Sequence, residues 1–246
     1  MTLPKLVKFS ELDTTQPAVM ILDSGAGAHS IFRECKKLRP NSNYIIIEDK
    51  SFFPYGNKSI AQLEENFREI AQTIKNTKLI SLILACNTAS THALEIFRDT
   101  LDCPVIGTVP PIKLAVTNSP NKCIALLATP ATTHSSYTRQ LINAFAQDVK
   151  IHLIPTPHLA SISENYVANQ SVCQESLSKE LAPLANIAEL DTIALACTHY
   201  HLIKDEISKL YPKCKIIDCS PAIAKQFDRV SPPIFKQTPS VQRCYL

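Results

Sequence analysis

The chain has 246 residues, is 45% hydrophobic and 19% charged, and carries a formal net charge of +3. These values are typical of a globular protein with a sizeable core, organised as one large domain or two smaller ones. The small net charge and the scattered basic residues give no support for a nucleic-acid partner. No apolar run approaches the roughly 20 residues that span a bilayer, so no membrane partner is expected.

The cysteines indicate a reducing compartment. There are nine, an odd number, and none forms a Cys-x-x-Cys pair or a Cys/His cluster with the spacing of a zinc site. The opening segment, MTLPKLVKFSELDTT, lacks the apolar core of a signal peptide. We therefore expect reduced thiols in a cytoplasmic protein, without a bound metal.

Short apolar runs along the chain predict β-strands. They lack the alternation of apolar and polar residues that is typical of strands with one solvent-exposed face. This continuity is typical of parallel strands that are covered on both faces. The runs are 18–22, 44–47, 79–84, 105–106, 123–127, 150–154, 192–195 and 215–217. The tail from Ser231, which contains Pro232, Pro233 and Pro239, is predicted to be irregular.

Helices are predicted between these strands, where apolar residues recur every three or four positions. One such face consists of Ile60, Leu63, Phe67, Ile70 and Ile74, and another of Leu202, Ile203, Ile207 and Leu210. Strands that alternate with helices predict an α/β fold with mostly parallel sheets.

The order of these elements indicates an internal repeat. In each half of the chain a predicted strand ends in Ala-Cys followed by polar residues, with Cys86 in the first half and Cys197 in the second. This pattern predicts two pseudo-symmetric lobes, each a mostly parallel sheet flanked by helices. The first lobe is expected to comprise 1–108 plus 215–246, and the second 109–214, which assigns the last predicted strand to the first lobe.

Polar residues follow the predicted strands where ligands of open α/β sheets bind, beyond the carboxyl ends of the strands. A helix is expected to begin after each of them, and helix N-termini favour carboxylate ligands and lower the pKa of a thiol. A single cysteine is more often a small buried hydrophobe. Cys86 and Cys197 stand out because hydrogen-bonding residues follow both. The residues concerned are Asp23, Ser24, Cys86, Asn87, Thr88, Thr129, Cys197, Thr198 and His199.

Taken together, the motifs resemble those of the glutamate racemases, in the aspartate/glutamate racemase superfamily. They read ILDSGAG, FPYGNKS, ACNTAS, PVIGTV, ATPAT, LACTHY and IIDCSPAIA, in the family's order, from about residue 18 to residue 226. The resemblance implies a cofactor-independent enzyme with its active site in the cleft between two lobes. It also implies glutamate as the substrate and a supply of D-glutamate for peptidoglycan.

The resemblance further implies a role for each matched residue. One cysteine thiolate removes the α-proton and the other cysteine donates a proton to the opposite face, Cys86 acting on the D-enantiomer and Cys197 on the L-enantiomer. Asp23 and His199 would assist these two thiols. The positions that match substrate-binding residues are Asp23, Ser24, Tyr55, Gly56, Asn87, Thr88, Thr129, Thr198 and His199, and Glu164 matches an acidic residue near the site.

Several loops depart from the family pattern. Ala28 stands in place of a usual Gly, Phe52 in place of Arg, Pro110 in an altered loop after the PVIG motif, and His201 in place of Pro. His201 is predicted to be a solvated or helix-start residue. None of these changes removes a catalytic residue. They leave the oligomeric state open, with a homodimer as one option, together with any allosteric control.

The residues leave other functions open. The same two thiols could racemise aspartate or a related acidic amino acid, because side-chain preference depends on cleft dimensions. A Cys-His hydrolase would use Cys197 or Cys86 as nucleophile and His199 as base, but it would leave the second Ala-Cys motif unused. A non-catalytic homologue would keep only the fold and the acidic-ligand site.

Overall fold

The computed structural model describes residues 3–233 and 239–246. The strands are β1 (Leu6–Lys8), β2 (Ala18–Asp23), β3 (Tyr44–Glu48), β4 (Leu79–Leu84), β5 (Val105–Gly107), β6 (Cys123–Ala128), β7 (Lys150–Pro155), β8 (Thr192–Leu195), β9 (Lys215–Ile217) and β10 (Val241–Tyr245). The α-helices are α1 (Ala28–Leu38), α2 (Ile60–Ile74), α3 (Asn87–Thr100), α4 (Ile112–Thr117), α5 (Pro130–His134), α6 (Ser136–Phe145), α7 (Leu159–Asn169), α8 (Gln174–Leu181), α9 (Lys204–Leu210) and α10 (Ser220–Val230). Short 3-10 helices cover Phe9–Glu11, Lys50–Phe52, Tyr55–Asn57, Ala182–Asn186 and Thr198–Ile203.

The chain divides into two compact units, Met1–Thr108 with Ser220–Leu246, and Val109–Cys219. The first unit contains a sheet of strand order β1-β10-β3-β2-β4-β5, and the second a sheet of order β7-β6-β8-β9. Neighbouring strands pair in parallel in both sheets. The predicted α/β fold with mostly parallel sheets is therefore confirmed.

The two sheets repeat one topology. In the first sheet, β2 lies between β3 and β4, and β5 lies beyond β4. In the second sheet, β6 lies between β7 and β8, and β9 lies beyond β8, so β4 corresponds to β8. The backbone bonds beyond these strands also correspond: Ala85 N donates to Leu22 O at 2.7 Å, and Ala196 N donates to Leu127 O at 2.8 Å. This equivalence agrees with the internal repeat that the sequence indicates.

The first sheet is buried on both faces, as its continuous apolar strands predict. One face packs against α2 and α3, where Phe67 and Phe97 are completely buried. The other face carries α1 and α10, which also contact each other. Helix α2 contains the predicted apolar face, of which Ile60 is exposed and the other four residues are buried, and each buried side chain contributes roughly 1.5–3 kcal/mol.

The second sheet has a smaller core of the same kind. Its apolar core is formed by β6, β8 and β9 packed against α4 and α6. Small residues such as Ala194 and Ala196 are fully or almost fully buried there. Within the described ranges, no helix has both the length and the apolar character needed to cross a membrane.

Two expectations about the C-terminal third are wrong. The strand Lys215–Ile217 was expected in the first lobe, but it pairs with β8 in the second sheet. The tail from Ser231 was expected to be irregular, but Val241–Tyr245 forms β10 between β1 and β3. Residues 234–238 lie outside the described residues. In both cases the deciding interaction is a backbone ladder to another strand, which a local pattern does not encode.

Candidate active site

The first group of candidate residues meets at the carboxyl edge of the first sheet. Asp23 ends β2 and is fully buried, and Ser24 follows it. Cys86 follows β4, which pairs directly with β2, and it is the N-cap residue of α3 with φ −148° and ψ 130°. Asn87 and Thr88 form the first turn of that helix and are buried. The predicted helix start after Cys86 is therefore confirmed.

Tyr55 joins this group from the segment after β3. With Gly56 it lies in the 3-10 helix Tyr55–Asn57, and its hydroxyl donates to Asp49 Oδ2 at 2.9 Å. Burial raises the pKa of Tyr55 well above its ordinary value, and the negative charges of Asp49, Asp23 and Cys86 raise it further. The phenol is thus a neutral hydrogen-bonding group close to Asp23 and Cys86.

Asp49 is a further candidate residue of this group, which the sequence patterns did not single out. It is 1% exposed, and its carboxylate accepts hydrogen bonds from Tyr55, from Asn66 Nδ2 at 2.7 Å and from Ser51 Oγ at 2.8 Å. The rule that polar residues after a buried strand face the ligand would have found it, because Asp49 directly follows β3.

Asn87 carries an unused hydrogen-bonding group next to Cys86. Its side chain is buried, yet among the described residues neither Oδ1 nor Nδ2 has a hydrogen-bond partner. A buried polar group without a partner costs about 1–3 kcal/mol. A ligand with both donors and acceptors, such as an amino acid, would satisfy this amide.

The second group lies at the carboxyl edge of the second sheet. Cys197 follows β8 after Ala196 and has φ −148° and ψ 133°, the same conformation as Cys86. It is 8% exposed, compared with 9% for Cys86. Thr198 and His199 follow it and are buried. The helix that begins after Cys197 is a 3-10 helix of six residues rather than an α-helix.

His199 and Glu164 form an ion-pair geometry. Nε2 of His199 lies 3.2 Å from Oε2 of Glu164, which projects from α7 onto the 3-10 helix Thr198–Ile203. The histidine side chain is 4% exposed and the glutamate side chain 27%. The structure thus brings the matched acidic residue directly to the histidine that follows Cys197.

Tyr200 supports the second group in a way the sequence did not indicate. It is completely buried, its hydroxyl donates to Thr156 O at 3.0 Å, and it accepts from Thr156 Oγ1 at 2.9 Å. Burial raises its pKa well above the ordinary value, and the neighbouring charge of Cys197 raises it further. The neutral phenol therefore anchors the segment that carries Cys197.

In the described contacts, Thr129 caps the start of helix α5. It is the N-cap residue of α5, and its Oγ1 accepts from Thr132 N at 3.4 Å and donates to Thr132 Oγ1 at 3.1 Å. Its side chain lies half-buried at the end of β6. The predicted contact with a carboxylate ligand therefore stays a prediction.

His201 differs from its predicted setting. It lies in the last turn of the 3-10 helix Thr198–Ile203 rather than at a helix start, and it is half-buried rather than solvated. Its Nε2 is 3.4 Å from the carbonyl oxygen of Leu195. Burial lowers the pKa of His201 to about 4, so the ring is neutral at pH 7.

Each unit presents one thiol with polar neighbours at the edge of its sheet. None of the nine cysteines forms a disulfide bond. Among residues 3–233 and 239–246, no three His, Cys, Asp or Glu side chains come together in a group that could hold a metal. Each sheet presents one cysteine in the same backbone geometry, accompanied by hydroxyl groups and by Asp23 or His199. A thiol in such surroundings can donate or accept a proton.

The comparison with known proteins agrees with this chemistry. The Asp/Glu/Hydantoin racemase family matches residues 26–227, and the chain belongs to this family. The glutamate racemase of Haemophilus influenzae (strain PittGG) is 41% identical over 213 residues, which are 86% of this chain and 79% of the relative. That of Pasteurella multocida is 39% identical over 211 residues, which are 85% and 78% of the two chains.

A solved structure gives the same result for the fold. The crystal structure of Escherichia coli glutamate racemase, in complex with L-glutamate and the activator UDP-MurNAc-ala, superimposes with a TM-score of 0.87 at 32% sequence identity. The match covers 93% of this chain and 89% of the E. coli chain. The resemblance inferred from the motifs is thereby confirmed.

Proposed function

We propose that this protein interconverts L- and D-glutamate without a cofactor, and that Cys86 and Cys197 are its acid and base. The observation that carries the proposal is the equivalence of the two cysteines. Cys86 follows β4 and Cys197 follows the corresponding strand β8, with nearly the same φ and ψ, and each is followed by buried polar residues. The relatives described above, which are glutamate racemases, support glutamate as the substrate.

In the proposed reaction, one thiolate takes the proton from the α-carbon and leaves a carbanion. The other cysteine, as a thiol, donates its proton to the opposite face of the same carbon. The enzyme then holds the reverse protonation pattern and is ready for the product enantiomer. Two groups are needed because a single base would return the proton to the face that it left. Cys86 is assigned to the D-enantiomer and Cys197 to the L-enantiomer.

The carbanion is the difficult species, since an amino-acid α-hydrogen is far less acidic than a thiol. Fixed hydrogen-bond donors and exclusion of water stabilise such developing charge. Asn87, Thr88 and Thr198 are buried residues that can serve in this way, and Asp23 and His199 assist the two thiols. The unused amide of Asn87 suits the amino and carboxylate groups of the substrate.

Incubation of the purified protein with L-glutamate in deuterium oxide tests the proposal. Racemisation by two bases places deuterium in the new D-glutamate while the remaining L-glutamate stays unlabelled early in the reaction. Replacing Cys86 or Cys197 by Ala should abolish the loss of optical rotation. Cys103→Ala and Cys173→Ala change cysteines outside the site and serve as matched controls.

The same experiment separates the other functions. Activity on aspartate but not on glutamate would identify aspartate as the substrate. Binding of glutamate without exchange of the α-proton for deuterium would indicate a non-catalytic homologue. A requirement for added pyridoxal phosphate would overturn the two-thiol mechanism. We also propose that the reaction supplies D-glutamate for peptidoglycan in the cytoplasm, which rescue of a D-glutamate auxotroph would test.

A further inference from the structure

Ser90, four residues after Cys86, binds back to the strand end that carries this cysteine. Its Oγ lies 2.7 Å from Cys86 O and 3.2 Å from Leu84 O, so the hydroxyl donates to the carbonyl of the cysteine itself and to that of the residue two positions before it. The backbone N–H of Ser90 also donates to Cys86 O at 2.9 Å. A helical serine often makes such a bond to the carbonyl four residues earlier, which by itself has no functional meaning.

Thr108 extends this arrangement from the neighbouring strand. Its N–H donates to Ser90 Oγ at 2.7 Å, and its own Oγ1 donates to Leu84 O at 2.8 Å. The close approach of α3 to β5 depends on Gly107, because a Cβ there would lie 3.3 Å from Ser90 Cβ. Thr108 is 1% exposed and is the last residue of the first unit before the chain enters the second.

The second unit has an equivalent arrangement made of different side chains. His201 stands four residues after Cys197, and its Nε2 lies 3.4 Å from Leu195 O and 3.9 Å from Cys219 Sγ. Cys219 is buried just beyond β9 and is the last residue of the second unit before the chain returns to the first. Leu195 precedes Cys197 by two residues, as Leu84 precedes Cys86.

From this repeat we propose that Ser90 with Thr108 positions Cys86, and that His201 with Cys219 positions Cys197. In both units, the side chain four residues after the cysteine contacts the carbonyl oxygen of the leucine two residues before the cysteine. A residue just beyond the neighbouring strand contacts the same side chain. The four residues are positioning residues and do not touch the substrate. This inference rests on the proposed racemisation by Cys86 and Cys197.

The positioning role makes a directional prediction. In a reaction with two proton transfers, slowing the transfer at one cysteine makes that step more rate-limiting and the other step less so. Misplacing a catalytic group by about 1 Å can cost on the order of 100-fold in rate, so a partly loosened cysteine should lose about tenfold in kcat. The loss should be accompanied by opposite changes in the isotope effects of the two enantiomers.

The experiment measures initial rates with D- and L-glutamate that carry either protium or deuterium at the α-carbon. Thr108→Val and Ser90→Ala should lower kcat, raise the isotope effect with D-glutamate and reduce it with L-glutamate. His201→Leu should do the reverse. Thr108→Ser and His201→Gln, which retain a hydroxyl or an N–H donor, should keep the wild-type isotope effects.

Thr100→Val is the matched control, because Thr100 Oγ1 makes the same kind of bond, to Ile96 O at 2.7 Å, at the far end of α3. It should change neither the rate nor the isotope effects. If Ser90→Ala does not fold, Thr108→Val decides, since valine keeps the shape of threonine. If the wild-type protein is active and the variants lose rate but keep the wild-type isotope effects, the positioning role is overturned and the proposed function is not. Wild-type protein that racemises nothing would overturn the proposed function and this inference together.

Discussion

The fully buried carboxylate of Glu48 in β3 binds the guanidinium of Arg243 in β10. Arg243 Nη2 donates to Oε2 at 3.0 Å, and Nε donates to Oε1. His29 Nε2 also donates to Oε1, at 2.8 Å, and Lys50 Nζ lies 3.4 Å from Oε2. The C-terminal strand is thus attached to the sheet by a buried ion pair as well as by its backbone ladder.

Arg243→Met should lower the free energy of unfolding by about 3 kcal/mol, because removing one partner leaves a buried charge poorly compensated. This is the low end of the usual range, since His29 remains bound to Glu48. Arg98→Met provides the control. Arg98 pairs with Glu95 on the exposed surface of α3, and its loss should cost less than about 0.5 kcal/mol. Urea denaturation at pH 7 measures both, and equal effects would contradict the role assigned to Arg243.

The same carboxylate should make stability depend on pH. Burial alone would raise the pKa of Glu48, but hydrogen bonds from His29 and Arg243 outweigh it and lower the pKa from 4.5 to about 2. The unfolded chain therefore binds this proton at a higher pH than the folded one. The contribution is complete above about pH 5 and is lost as the pH falls toward 2. Glu48→Gln should flatten the fall in unfolding free energy over that window, as followed by urea titrations at several pH values.

Asp49→Asn should weaken glutamate binding more than it slows turnover. The carboxylate of Asp49 accepts from Tyr55, Asn66 and Ser51, and an amide has only one oxygen to replace it. We expect KM to rise about tenfold, which corresponds to about 1.4 kcal/mol of lost binding. The exposed Asp13, which accepts from Thr15, is the matched position for an Asp→Asn control. An unchanged KM with a large loss of kcat would argue against a binding role for Tyr55.

Glu164→Gln should lower kcat about tenfold and leave KM nearly unchanged. Glu164 lies 3.2 Å from the Nε2 atom of His199, and a neutral amide would no longer support that ring during proton transfer. Glu180→Gln is the control, because Glu180 accepts from the backbone N–H of His158 in an exposed setting. Steady-state kinetics in both directions measures the effect. A higher KM with unchanged kcat would instead place Glu164 in direct contact with the substrate.

Asn87→Ala should reduce glutamate binding without reducing the stability of the ligand-free protein. The substitution removes a buried amide that has no hydrogen-bond partner among the described residues, so little is lost on folding. Saturating glutamate should then raise the melting temperature of the wild type but hardly that of the variant. Asn66→Ala is the contrasting variant. Its amide donates to Asp49, so its loss should cost about 1–3 kcal/mol without ligand.

Local sequence patterns predicted most of the fold. The strands Leu79–Leu84 and Thr192–Leu195 have the expected bounds, and the helix Ile60–Ile74 forms where the apolar spacing predicts one, because continuous apolar runs and a regular apolar face reflect burial. The candidate residues after these strands also lie at the sheet edges, since parallel strands bring their carboxyl ends to one edge.

The strands whose presence or position the local patterns did not predict have one physical feature in common, which is that pairing with other strands determines them. Strands β1 and β10 are short and only partly apolar, and β10 includes Gln242 and Arg243. Their burial and pairing come from β3 and from each other, far away in the sequence. In the same way, the pairing of β9 with β8 decided its unit.

The sequence by itself determined the class of fold, the two cysteines and most of their polar neighbours, because these depend on residue type and local spacing. Only the tertiary structure decided which side chains support them. The contacts between Asp49 and Tyr55, between Glu164 and His199 and between Ser90 and Thr108 join separate elements. Such contacts depend on which strands lie side by side, and that choice is made by backbone hydrogen bonds and packing over the whole chain.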